Sequence, residues 1–320
     1  MITAFFTTFD FPEHSNRNQM IIPPFLQPGN RIRIVAPAGK VRKDKVLPGI
    51  KLLQDEGFEV IVGKYVFGKN FQYSGTDRQR SSDLQEAIND PETKAIICAR
   101  GGYGTVRIIE KIDFSPLLKN PKWLVGFSDV TVLHAVLNKL GLASVHGAMP
   151  AFFLENNKPT KSFFSLMELL STGRSKNEIQ ANPLNRKGTC SGELVGGNLS
   201  LIYSLQGTPW QLETKGKILL IEDLSEYLYH LDRMMQNLRL SGQLKDLAGL
   251  VVGSFTDMKD NDSPFGKSVS EIILDAVQDY DFPVCFDFPV GHIPKNLAVT
   301  LGSTYRLELA ENCQLIRKQL

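Results

Sequence analysis

Ser128, Glu222 and His292 follow one another along the chain as serine, acid and histidine, each where a side chain can be presented to a ligand. A serine nucleophile needs a base to take its proton and a carboxylate to hold that base in one tautomer. Serine, acid, histidine is one of the known chain orders for such a triad. Ser128 lies in Gly126-Phe127-Ser128-Asp129-Val130-Thr131, between an apolar run from Trp123 and a stretch of helical period. Serine at a strand-to-helix turn is a good N-cap. The free N–H groups of that turn equally favour an oxyanion, with the Asp129 N–H as donor when Ser128 attacks a carbonyl. On this stretch alone both roles stand.

Glu222 and Asp223 close the apolar strand Lys217-Ile218-Leu219-Leu220-Ile221. Carboxylates are costly there unless they are paired or open to a cleft. The plain alternative is an acid capping the next helix, which suits Asp223 better. His292 follows Gly291 in a loop stiffened by Pro289 and Pro294, so it is either a site residue or a polar loop histidine. His134 is six positions after Ser128 on the same expected helix. At about 100° per residue it points toward the opposite face, and it reads as a surface or partly packed histidine. His146, beside Gly147, is a site residue or part of a structural turn; His14 and His230 fall in the N-terminal stretch and inside a long helix.

Strands and helices alternate in the half of the chain that must position Ser128. The pattern predicts strands over 31–39, 58–63, 95–99 and 143–147 and from Trp123, with helices over 45–57, 77–90 and 129–140. Such alternation predicts a parallel sheet with crossover helices, whose ligands gather at the carboxyl ends of the strands. Arg100-Gly101-Gly102-Tyr103-Gly104 and Ser128 both follow strands and are expected on that edge. The glycine loop has the spacing of neither a dinucleotide fingerprint nor a P-loop.

The second half has more strands and fewer crossover helices, which predicts a smaller α+β or barrel-like domain. Strands are expected over 217–221, 249–253, 284–288, 298–301 and 304–309, helices over 226–240 and 268–280, and a turn-rich lead into a short helix over 192–200. The expected organisation is an extension over 1–22, a domain over 23–150 carrying the nucleophile, a connector over 151–190 and a domain over 191–320 carrying Glu222 and His292. The site would then lie between domains, a common place for clefts.

Composition narrows the function classes. Of 320 residues 42% are hydrophobic and 22% charged, as in ordinary globular proteins. A net charge of +2 without a basic face gives no case for nucleic acid. No apolar run is long enough to span a bilayer. The N-terminal stretch holds Phe5, Phe6, Phe9 and Phe11 without the charge pattern of a signal peptide; it reads as a disordered or surface extension. Cys98, Cys190, Cys285 and Cys313 are widely spaced, which favours free thiols in a reducing compartment. Neither they nor the five histidines have metal-ligand spacing, so no metal site is expected.

Several stretches, taken in order, resemble the LD-carboxypeptidase family of serine peptidases over about residues 26 to 310. They are Ile34-Val35-Ala36-Pro37-Ala38-Gly39, Ala99-Arg100-Gly101-Gly102-Tyr103-Gly104, Gly126-Phe127-Ser128-Asp129-Val130-Thr131 and Val145-His146-Gly147. Gly196-Gly197-Asn198-Leu199, Ile221-Glu222-Asp223 with Tyr229, Asp232 and Arg233, and Gly291-His292 continue the series. The resemblance implies a flavodoxin-like N-terminal domain, a swivelling C-terminal domain and a triad on Ser128, Glu222 and His292. The implied oxyanion hole is the Asp129 N–H plus one from Gly101 or Gly102.

The implied reaction removes the terminal D-alanine from a murein tetrapeptide by cutting an L,D bond after a diamino acid, in cytoplasmic peptidoglycan recycling, with no metal or cofactor. A small muropeptide is the expected partner, and the oligomeric state stays open between monomer and homodimer. Arg100 is expected to help read the free carboxylate, since a guanidinium matches it bidentately; its alternative is to fix the turn. Three rivals remain. A self-immunity peptidase of the same fold would cleave peptidyl- or aminoacyl-nucleotide antibiotics, and a binding module would have kept only the scaffold. An α/β-hydrolase shares the triad order but would need the second elbow glycine that the Ser128 turn lacks.

Overall fold

The computed structural model describes residues 20–311 and 313–318. Apart from 20–22, the expected extension lies outside them, with its four phenylalanines and His14. The alternating pattern of the first half folds as β1 (Arg31–Val35), α1 (Lys43–Asp55), β2 (Glu59–Val62), α2 (Asp77–Asn89), β3 (Thr93–Cys98), α3 (Pro116–Lys119), β4 (Trp123–Gly126), α4 (Thr131–Lys139) and β5 (Ser144–His146). These strands run parallel in the order β2-β1-β3-β4-β5, the flavodoxin-like order. Helix α2 starts where its sequence says it should: the Thr76 side chain accepts from the Gln79 N–H, and the Gln79 side chain returns to the Thr76 N–H.

Helix α4 is buried from Thr131 through Leu137. A helix apolar all round is one packed between layers. Here the layers are β5 on one side and the first strand and helix of the second half on the other. His134 is consequently buried, not on a surface: one ring nitrogen lies 2.8 Å from Ser144 Oγ and the other 3.0 Å from the Gly126 carbonyl. Periodicity misplaced it because α4 has no solvent face.

The connecting stretch forms a hairpin, β6 (Leu154–Glu155) and β7 (Lys158–Pro159), then α5 (Lys161–Thr172) and β8 (Lys176–Ile179). There follow β9 (Gly188–Asn198), α6 (Leu199–Ser204), β10 (Ile218–Leu224), α7 (Leu228–Leu240), β11 (Gly249–Thr256), α8 (Val269–Ala276), β12 (Val284–Cys285), β13 (Val299–Leu301), β14 (Thr304–Leu309) and β15 (Cys313–Arg317). Seven of these strands form a mixed sheet in the order β12-β11-β10-β9-β14-β15-β8, parallel from β12 to β9 and antiparallel beyond.

Strands β6, β7, β8 and β15 are not expected from the sequence, and β12 is shorter than the expected 284–288; two further departures bear on the site. The glycine-rich stretch from Gly192 is not a run of turns but the second half of β9, an 11-residue strand. Its glycines answer to close packing: a Cβ on Gly197 would meet Thr131 Oγ1 at 2.6 Å. Strand β13 belongs to the first sheet, antiparallel to β5 with Val299 opposite His146. At three residues it is too short for its pattern to name a partner. The segment between β12 and β13 therefore crosses from one sheet to the other, and it carries His292. One apolar core, including Phe127, Leu133, Leu199 and Ile221, runs through both halves. Among the described residues no helix is long and apolar enough to cross a membrane.

Candidate active site

Strand β4 ends at Gly126, and Ser128 opens a 3₁₀ turn, Ser128–Val130, that leads into α4. Its φ is +64°, in the left-handed region that non-glycine residues seldom occupy. Such backbone persists only where its surroundings hold it, commonly at functional sites. The simple cap reading fails here. Phe127 occupies the cap position of the turn, and no side-chain cap hydrogen bond is made there.

The loop after β3 closes over this turn. A Cβ on Gly101 would lie 2.9 Å from Ser128 Cβ and 3.0 Å from Ser128 Oγ, so only glycine lets the loop approach the serine this closely. The Gly39 N–H donates to the Gly101 carbonyl, 3.2 Å, joining the loops after β1 and β3. Gly102 follows with a φ of +115°. Among the described residues the backbone N–H groups of Gly101, Gly102 and Asp129 have no acceptor. Arg100 is exposed and donates to the Lys40 carbonyl, 3.1 Å, which spans the same two loops.

Two side chains that the sequence did not single out hold this loop. The carboxylate of Asp129, fully buried, accepts the Thr105 N–H at 2.8 Å. Burial pushes its pKa up against that hydrogen bond. Arg80, also buried, donates to the Gly104 carbonyl at 2.9 Å and to the Pro37 carbonyl, pairs with Asp77, and stacks on Tyr73. The sequence singled out only the backbone N–H of Asp129, not its carboxylate, and an arginine in the first turn of a helix is ordinary in composition.

The acid and the histidine come from the second half. Glu222 sits in β10, is fully buried, and places Oε2 2.8 Å from His292 Nδ1. Its other oxygen has no partner among the described residues. The His292 loop passes this close because Gly291 has a φ of +108°, and a Cβ there would lie 2.8 Å from Glu222 Oε2. Asn296 Oδ1 accepts the Gly291 N–H at 3.0 Å, and Ser162 Oγ bridges the Pro294 carbonyl and the Asn296 N–H at 2.8 Å each.

The ring of Phe127 meets His292 edge-on at 4.9 Å, so the residue before Ser128 is in contact with the histidine. Among the described residues no hydrogen bond joins Ser128 to His292. Asp223 has a different partner set, accepting from Asn198 Nδ2 at 2.9 Å and the Ser200 N–H at 2.8 Å. It thus supports the start of α6 rather than the helix that follows it in sequence. Burial, then the neighbouring charge of Glu222, pushes it up to about 6. His146 is fully buried beside Phe127, at 5.9 Å between rings, and burial pushes it down to about 3. It is a neutral residue of the sheet.

A cavity of about 320 Å³ opens beside His292, walled by Phe127, Phe152, Leu154, Ile293 and Pro294, with Glu155 at its hairpin side. Among the described residues no group of His, Cys, Asp and Glu is arranged to hold a metal ion. A strained serine, a loop with free N–H groups against it, and a histidine on a buried carboxylate can together perform acyl transfer through a covalent intermediate.

Comparison with known proteins identifies the family. The family described as the LD-carboxypeptidase N-terminal domain matches residues 32–147, and the LD-carboxypeptidase C-terminal domain matches 191–307. A probable murein peptide carboxypeptidase from Bacillus subtilis is 34% identical over 300 residues, covering 92% of this chain and 93% of its own. The crystal structure of a muramoyltetrapeptide carboxypeptidase from Oxalobacter formigenes superposes with a TM-score of 0.83 at 30% identity, covering 91% of this chain and 99% of that one. The microcin C7 self-immunity protein, in complex with aspartyl sulfamoyl adenosine, shares the fold with a TM-score of 0.84 at 20% identity, covering 93% and 99%.

Proposed function

The chain belongs to the LD-carboxypeptidase family, and from that premise we propose that it is a serine peptidase releasing the terminal D-alanine of murein tetrapeptides. The observation that carries the assignment of roles is the 2.8 Å contact between Glu222 and His292, residues of separate elements brought beside the Ser128 turn. In this reading Glu222 accepts a hydrogen bond from His292 Nδ1–H, which keeps the proton on Nδ1 and leaves Nε2 with its lone pair free as the base. Ser128 Oγ attacks the scissile carbonyl and its proton passes to Nε2. That contact closes as substrate binds, since catalytic hydrogen bonds are often long in the empty enzyme. The oxyanion is held by the Asp129 N–H and a donor from Gly101 or Gly102, each worth about 3–4 kcal/mol. Collapse passes the proton from Nε2 to the departing D-alanine nitrogen, and water then hydrolyses the acyl-enzyme by the same base.

Arg100 is the proposed reader of the free carboxylate, with the guanidinium donors not spent on Lys40. A place in cytoplasmic peptidoglycan recycling belongs to the same proposal and is tested by fractionating cells and following muropeptide pools in a deletion strain. The direct test is D-alanine release from murein tetrapeptide by the purified protein. Ser128→Ala should lower it about a thousandfold or more. Full activity in that variant ends the triad assignment. Turnover of an aminoacyl sulfamoyl nucleotide and not of the tetrapeptide would replace the substrate with that of the self-immunity relatives.

A further inference from the structure

Strands β10 and β11 are in register at Ile221 with Val252 and again at Asp223 with Phe255. Glu222 alone therefore opposes two residues, Gly253 and Ser254, in a bulge of a kind rare between parallel strands. Bulges re-aim side chains and are common beside active sites. This one is anchored on the segment that leads to His292. The Phe288 N–H donates to the Val252 carbonyl at 3.0 Å, and the Ser254 N–H donates to the Val290 carbonyl at 2.9 Å. The packing is tight: a Cβ on Gly253 would lie 2.7 Å from Val290 Cγ2 and 3.1 Å from Glu222 Cβ.

Two buried oxygens at this bulge have no partner among the described residues, Glu222 Oε1 and Ser254 Oγ. They are complementary, since an ionised carboxylate only accepts and a hydroxyl can donate. A Cβ built on Gly291 would lie 2.5 Å from Ser254 Oγ and 2.8 Å from Glu222 Oε2, so hydroxyl and carboxylate flank one small space that glycine leaves open. They are no farther apart than one water spans with a hydrogen bond of about 2.7–2.8 Å on each side. The last torsion of a glutamate side chain is soft, and the contact with His292 Nδ1 restrains only one of the two oxygens. The other unpartnered buried donor nearby is Asn296 Nδ2, whose amide oxygen already accepts the Gly291 N–H. Ser254 is favoured over it as the neighbour of Glu222 across the strand pair.

We propose that Ser254 is a positioning residue for the triad: its hydroxyl donates to the Glu222 carboxylate, directly or through one water molecule, and fixes the orientation in which Oε2 meets His292 Nδ1. The proposal rests on the peptidase reading above and adds to it the group that holds the acid. Ser254 acts through Glu222, and so on kcat rather than on KM.

The test compares Ser254→Thr with Ser254→Val, which share one shape and differ in a hydroxyl against a methyl. Both are β-branched and suit a strand, and any strain from the added methyl is common to both. With murein tetrapeptide, Ser254→Thr should keep kcat within about threefold of the wild type, and Ser254→Val should fall about tenfold below Ser254→Thr with KM unchanged. Ser254→Ala, which removes the hydroxyl and adds no bulk, should show the same loss against the wild type. A second readout needs no substrate. The His292 Nδ1 proton resonance, identified by its loss in His292→Gln, should stay in place in Ser254→Thr and broaden or move upfield in Ser254→Val and Ser254→Ala. A cleaving wild type with equal kcat in the threonine and valine variants, or one resonance position in both, gives the second oxygen of Glu222 to another donor. That result overturns the role of Ser254 and leaves the peptidase reading in place. A wild type that cleaves no tetrapeptide, with a resonance that still separates threonine from valine, overturns the peptidase reading and upholds the contact.

Discussion

Gly101→Ala gives the sharpest test of the packing between the glycine loop and the nucleophile. The added Cβ would sit 2.9 Å from Ser128 Cβ and 3.0 Å from Ser128 Oγ, with the Phe127 carbonyl next at 3.4 Å. Ordinary carbon contacts lie at about 3.5–4.0 Å, so the two residues must separate by roughly 0.5–1 Å. Gly101 is not in the left-handed region, so alanine suffers no backbone strain there. Without the clash the change would stabilise by about 0.4–1 kcal/mol, by restricting the unfolded chain. The clash itself should cost about 1–3 kcal/mol, the usual price of overpacking.

Urea unfolding of Gly101→Ala in the native background should therefore show a net loss of about 1–2 kcal/mol. The same change in a Ser128→Gly background, where both crowded atoms are gone, should be neutral or slightly stabilising. The coupling energy of that cycle should come out near 1–3 kcal/mol. Displacing the serine by this distance should also lower kcat about a hundredfold with little change in KM. Equal destabilisation in both backgrounds, or a Gly101→Ala enzyme with full kcat, would refute the account of the loop lying on the nucleophile.

Two further outcomes follow from buried or ion-paired carboxylates. Asp129→Ala strands the Thr105 N–H and should cost about 1–3 kcal/mol of stability together with an order of magnitude or more in kcat. Asp129→Asn keeps an acceptor and should restore kcat to within a few-fold; failure of asparagine to rescue would show that the charge matters rather than the loop contact. Asp90 is held down to about 2: burial opposes its charge, but hydrogen bonds from Thr93, the Glu92 N–H, Arg33 and Arg31 outweigh it. A depressed carboxylate contributes stability above its unfolded pKa and loses it as pH falls. Wild type should therefore lose at most about 2 kcal/mol relative to Asp90→Asn between about pH 4 and pH 2. Parallel acid-denaturation profiles for the two proteins would refute the ion-pair account.

What the sequence revealed and what it hid divide along a physical line. Local punctuation was readable: an apolar run ending at Gly126, another ending at Glu222, and a glycine before His292 each announce a strand end or a tight loop. Groups that act through distant backbone were not. Arg80 reaches the Pro37 and Gly104 carbonyls from the first turn of α2, and nothing in the helical pattern points to them. Gly197 of β9 looks like part of a turn because the reason for it, the Thr131 side chain, is 66 positions away.

The geometry of the site then depends on how the two halves are joined, and the joint is short. The Asn198 N–H donates to Thr131 Oγ1 at 3.0 Å, three residues after Ser128 on the same turn and helix. Asn198 is also the strand partner of Glu222 in the pairing of β9 with β10. One backbone N–H and one hydroxyl thus separate the nucleophile's helix from the acid's strand, while the segment carrying His292 is fixed in both sheets by β12 and β13. Sliding the halves apart would leave the Asn198 N–H unpaired in the interior, at about 1–3 kcal/mol, and would open the shared core around Phe127 and Leu199. The spacing between nucleophile and base is therefore set where the nucleophile's helix, β9 and β10 pack together.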